Sequence, residues 1–145
     1  MRNGIAGLMA MLCLAAIGTA SAADKVVVIV NAANTQSTTL ADLRNIYNDI
    51  VINWDNGQHI ALYDIPAGAA ARKVFSESVL GVSPEQAVRE WANRIITNTA
   101  KNNPPKTVKE ELVPRYVASD PYAIGYVSKS VAEGQAGIKI IMTLE

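Results

Sequence analysis

Lys25-Val-Val-Val-Ile-Val30 constrains this chain more than any other segment. Unbroken β-branched residues leave no polar face on a strand of period two. The run therefore predicts a strand covered on both sides. Such a strand needs helices to cover it, and the following residues supply them. Leu40, Leu43, Ile46 or Tyr47, and Ile50 recur at helical spacing behind a Thr39/Asp42 capping-box-like start, so a helix is expected at about 39–48. Asp55-Asn56-Gly57 marks a turn, and His59–Asp64 reads as the next strand. A second helix is expected at about 68–80, with Gly81 as its stop. Ser83-Pro84-Glu85-Gln86 carries an N-cap, a first-turn proline and a Gln three residues on. It predicts a helix at about 84–97 with Val88, Trp91, Ala92 and Ile95 on one apolar face. A shorter helix is expected within 108–119, tolerating Pro114 if it starts just before that residue. Short strands follow at Ile124–Val127 and Ile138–Met142, with a helical turn at about 128–133 between them. Alternating strands and helices define an α/β class with a parallel or mixed sheet.

The first residues follow a different pattern. Met1-Arg2-Asn3 is a short basic start, Ile5–Ile17 is apolar apart from glycine, and Ala20-Ser21-Ala22 has the small-x-small form of a cleavage site. This predicts a secretory signal peptide at 1–22, a single domain at 23–145 and a periplasmic location. The apolar stretch is short for a membrane anchor. Leu12 before Cys13 does not suit a lipoprotein cut. The expected mature chain has no cysteine, and its 12 Lys and Arg stand against 13 Asp and Glu.

That balance argues against a nucleic-acid partner, which normally needs a basic face. The 50% apolar content argues against disorder. Without cysteine, and with His59 the sole histidine, no His-Cys metal cluster is available. His59 is expected to be exposed. No nucleophile elbow, phosphate-binding glycine loop or metal triad is present. The expectation is a non-enzyme with no cofactor and no metal. Glu110-Glu111 reads as a solvated helix start, and Lys101, Lys106 and Lys109 as solubilising charge.

Leu43-Arg-Asn-Ile-Tyr47 followed by Asn53-Trp54, then Asp64-Ile-Pro-Ala-Gly68 with Arg72 and Phe75, then Ala123-Ile-Gly-Tyr-Val127, occur in this order. Together they resemble the small periplasmic phosphate-binding-protein-like domains related to the substrate-binding component of phosphate ABC transporters. The resemblance spans roughly residues 25–142. It implies a type II periplasmic-binding-protein-like α/β fold, with enough residues for about one lobe, a mixed sheet and flanking helices. It also implies a ligand, phosphate or another small oxyanion, and an ABC permease or a membrane sensor as protein partner. Two lobes closing on a ligand signal occupancy in such proteins. One lobe would need a homodimer or a second protein to do so.

The candidate ligand-binding residues are Ser37, Thr38, Thr39, Asp64, Gly68, Ala69 and Arg72. Gly68 and Ala69 open a helix, where free N–H groups favour anions. Ala67 and Ala69–Ala71 stand where the transporter proteins place hydroxyls and an acid, which disfavours tight phosphate binding and leaves a plain helix start as the alternative. Arg72 matches an arginine of the small-domain family and is able to fork onto an oxyanion, or to pair with Glu77 or Asp64. Asp64 either orients Arg72, accepts a ligand proton, or caps a turn. Ser37, Thr38 and Thr39 either line the same sheet edge or simply cap their helix. Trp54 and Tyr126 are expected in the core rather than at a ligand rim. The rival functional reading is a ligand-free interaction or sensory accessory domain.

Overall fold

The computed structural model describes residues 24–145. The expected signal peptide lies outside the described residues. The elements are strands β1 (Val26–Asn31), β2 (Ala61–Asp64), β3 (Lys106–Thr107), β4 (Ala123–Ser128) and β5 (Ile138–Leu144). The helices are α1 (Leu40–Tyr47), α2 (Ala70–Phe75), α3 (Pro84–Ile96), α4 (Val113–Ser119) and α5 (Lys129–Ala132). All six residues of β1 are buried, as an all-apolar run requires. Helices α2, α4 and α5 pack against it.

The strand order is β3-β2-β4-β1-β5. β2 runs parallel to β3 and β4, whereas β1 is antiparallel to both β4 and β5. β1 alone therefore runs against the other four strands. This bears directly on the site, because the loop after β1 leaves the sheet at the end opposite to the loops after β2 and β3.

Local chemistry explains most element boundaries. Thr39 caps α1 through a full capping box: its Oγ1 accepts the Asp42 N–H at 3.1 Å, and Asp42 Oδ2 accepts the Thr39 N–H at 2.8 Å. The Thr39 N–H, and the Thr39 O–H at 2.7 Å, both donate to Asp42 Oδ2 and hold that carboxyl below its ordinary range. Ser83 Oγ accepts the Gln86 N–H at 3.2 Å and Pro84 opens α3. Pro114 lies in the first turn of α4, where it removes no helical hydrogen bond. The expected 68–80 helix is α-helical only over α2 and continues as a π-turn at Ser76–Leu80. Gly81 closes it with φ of 70°, a left-handed conformation that suits glycine. Gly125 in β4 has a different reason to be glycine. A Cβ there would meet Val113 Cγ1 at 2.7 Å, so its absence lets α4 lie close on the sheet.

Three expectations need correction. β3 was not foreseen, because two exposed residues carry no period; it exists because β2 offers a free edge. The apolar stripe of α3 is not fully covered: Trp91 is buried, yet Val88 and Ile95 are about half exposed, at 50% and 51%. Glu110 starts a 3-10 turn rather than a solvated helix, and its Oε1 accepts the Ser128 N–H at 2.6 Å. His59 is exposed and contacts Asn53 Oδ1 at 3.0 Å through Nδ1. Trp54 and Tyr126 are core residues, as expected.

Candidate functional site

The carboxyl end of β2 delivers Asp64 into the interior, where its backbone oxygen also accepts the Val108 N–H at 2.9 Å. Two residues past the last paired position of β2 and β4, Leu62 opposite Ile124, the register puts Tyr126 beside it. Tyr126 donates its O–H to Asp64 Oδ1, which also accepts the Ile65 N–H at 2.9 Å. One turn into α2, Arg72 forms an ion pair with Asp64 Oδ2 through Nη1. The same nitrogen donates to Ile65 O at 3.1 Å, and Nε donates to Ser76 Oγ at 3.2 Å. Arg72 is only 4% exposed and Asp64 6%. A buried charge pair is tolerated only with this degree of hydrogen bonding.

An aromatic wall surrounds the pair. Phe75 stacks on Tyr126 at 3.8 Å between centroids, and Tyr47 meets Phe75 edge-on at 4.8 Å. Burial pushes the phenols of Tyr47 and Tyr126 well above their ordinary range, with the Asp64 charge acting in the same direction. Both therefore remain donors: Tyr47 gives its O–H to Tyr63 O at 2.8 Å, and Tyr126 to Asp64. Burial also raises the Asp64 carboxyl above its ordinary range, and the Arg72 charge opposes that rise.

The seven predicted residues do not converge. Asp64 and Arg72 line a cavity of about 240 Å³ whose other walls come from α3 and from Pro104, Pro105 and Thr107. Gly68 and Ala69 line a separate cavity of about 250 Å³ with Lys73, Glu77 and Glu85, and the two cavities share no wall residue. Ala69 is the N-cap of α2 and makes no side-chain cap bond. Ser37 and Thr38 line a third cavity, of about 220 Å³, with Asp42, Asn53 and Asp55. It lies at the opposite end of the sheet, because β1 is reversed. Thr39 is occupied in capping α1. The shared edge expected for both loops is thus corrected by strand direction. Arg72 pairs with Asp64, one of the two partners weighed for it, while Glu77 lies 3.8 Å from Lys73.

Other buried polar residues were missed by sequence reasoning. Asp49, with φ of 64°, accepts the N–H groups of Lys101 and Asn102 at 2.7 and 2.8 Å. Asn102 Nδ2 then donates to Ile60 O at 3.1 Å. This anchors the segment leading to Pro104 and Pro105, one wall of the Arg72 cavity. The pairing spans 52 and 53 residues, and nothing local to Asp49 announces it. Among the described residues, no three His, Cys, Asp or Glu side chains could hold a metal ion.

No family model and no curated protein matches the chain. Solved structures do. A phosphate transport receptor of the ABC type from Vibrio cholerae aligns with a TM-score of 0.61 at 22% identity, covering 82% of this chain and 46% of that one. PstS from Borrelia burgdorferi aligns at 0.60 and 18% identity, covering 81% and 46%. A phosphate ABC transporter substrate-binding protein from Clostridium perfringens, solved with bound phosphate, aligns at 0.55 and 16% identity, covering 83% and 55%. This chain thus spans about half the length of each. A mixed five-stranded sheet flanked by helices and aligned to about half of each of these structures is the fold of one lobe of a periplasmic-binding-protein-like protein.

Proposed function

We propose that this chain is an exported, non-enzymatic binding module of the solute-binding type, acting in the periplasm on a small oxyanion, phosphate being the first candidate. The observation that carries the reading is the Arg72 guanidinium, buried by its neighbours yet lining a cavity at the carboxyl end of β2. That is the end of the parallel strands where α/β folds place ligands. Arg72 is held rigid by Asp64, Ile65 and Ser76, so little ordering is required when an anion arrives. Ser37 and Thr38 line a separate cavity beside the Asp42 and Asp55 carboxylates, and Thr39 is committed to capping α1, so residues 37–39 take no part in this reading. Gly68 and Ala69, at the start of α2, line a separate cavity and do not share an anion with Arg72. An ABC permease or a membrane sensor would read the occupied state.

The test is a calorimetric titration of the purified protein with phosphate, sulfate and simple carboxylates. Saturable heat from any of them, weakened at least tenfold in a folded Arg72→Lys variant that keeps the charge but loses the planar guanidinium donors, supports the reading. No heat from any of them up to millimolar ligand rejects it.

A second reading is a ligand-free interaction domain, in which α3 meets a protein or a second copy of the chain. The half-exposed Val88 and Ile95 favour it. A stable homodimer in sedimentation, unaffected by every anion above, would establish this reading in place of the first.

A further inference from the structure

The cavity beside Arg72 has two unlike halves. One is the buried ion pair. Among the described residues, the hydrogen bonds of Arg72 fall on Nε and Nη1, so Nη2 remains without a protein partner. It is not an orphaned buried atom, and Arg72 lines the cavity. The other half is apolar: Val88, Ala92 and Ile95 from α3, with Pro104 and Pro105 opposite. Prolines offer no N–H there. The exposed apolar side chains of α3 are covered by nothing else in the described chain.

Inorganic phosphate matches only the first half. It would bring up to two negative charges to a guanidinium that Asp64 already neutralises, and it would leave the apolar wall in contact with water. A single carboxylate brings one charge and a planar edge that suits a guanidinium nitrogen. An apolar body attached to it would cover the α3 wall and remove that surface from water. At about 240 Å³ the cavity is smaller than the roughly 300–1,000 Å³ typical of drug-sized ligands, which sets the scale of the occupant.

We infer that this cavity binds a small monocarboxylate with a branched or aromatic apolar body, its carboxylate on Nη2 of Arg72 and its body on Val88, Ala92 and Ile95. The inference rests on the solute-binding reading above and narrows its ligand class. Thr107, at the end of β3, is the hydroxyl-bearing residue of the cavity lining, and we assign it the role of second donor.

The experiment titrates the purified protein with isovalerate, benzoate and inorganic phosphate, by calorimetry and by amide chemical shifts. Saturable binding of isovalerate or benzoate, tighter than phosphate and with shifts centred on α3 and residues 104–107, is the expected result. Ile95→Asp, at a half-exposed position and checked for retained fold by its amide spectrum, should weaken carboxylate binding about tenfold or more through lost apolar cover and added repulsion. Ala92→Trp should abolish it by filling the cavity. Phosphate binding in preference to both carboxylates overturns this inference and leaves the oxyanion reading standing. Carboxylate binding untouched by both variants overturns the placement at this cavity. Silence from all three ligands overturns this inference, and silence from sulfate as well overturns both readings together.

Discussion

The two ends of the sheet handle polar groups in opposite ways. At the end where β1 exits, Thr39 and Asp42 satisfy each other in an exposed capping box, and the nearby hydroxyls of Ser37 and Thr38 face an open cavity. At the end where β2 exits, Asp64, Arg72, Tyr126 and Ser76 form a closed network with exposures of 6% or below, apart from the edge of Arg72 that reaches a cavity. The same kinds of group are cheap to lose at the first end and expensive at the second. Solvent makes the difference: water takes over a broken exposed bond but cannot reach a broken buried one.

The sharpest way to break this comparison is to remove one buried charge. Arg72→Ala strands Asp64 and should cost about 3–5 kcal/mol in urea unfolding. Arg72→Met combined with Asp64→Leu should recover most of that loss, because no unpaired charge remains. If the double variant is as unstable as the single one, the network acts through more than its charges. Tyr126→Phe removes one donor to Asp64 and should cost about 1–3 kcal/mol, leaving the stack with Phe75 intact. At the other end, Thr39→Ala should cost only about 1 kcal/mol, and any larger loss would erase the contrast.

A pH series gives the smallest and most specific signal. Burial raises the Asp64 carboxyl above its value in the unfolded chain, so the folded state takes up the proton first. The stability associated with this proton is fully present below the ordinary carboxylate range and is lost as pH rises through the raised value. Wild type should therefore gain on Asp64→Asn as pH falls through that window, and on no other account at this residue. A gap that stays constant, or that narrows toward acid, contradicts the assignment.

How much of this was visible in the residues depends on their distance from their partners. β1, the α1 capping box and the Ser83-Pro84 start of α3 were legible because each is decided within four or five residues. β3 was not legible, since Lys106 and Thr107 become a strand only by meeting β2. The pairing of Arg72 with Asp64 was one of two local options, since both weighed partners lie close to it along the chain. Tyr126 as a donor to Asp64 was out of reach, because it follows from β2–β4 register across sixty residues. Strand direction was the costliest omission. An apolar run has the same composition whichever way it is threaded, and the grouping of residues 37–39 with 68–72 depended on that direction.

The reversed, fully buried β1 also sets an order of assembly. Its ladder partners are β4 and β5, roughly a hundred residues further along the chain. Contacts of such sequence separation form late and slow a domain's folding. Until residues 123–144 arrive, the most apolar stretch of the described chain has no neighbour to pair with, and it is then an inviting template for other extended chains. A fragment ending before Ala123 should accordingly clump instead of folding. A partner that shields Val26–Val30 in the meantime would do more for yield than any change near Arg72.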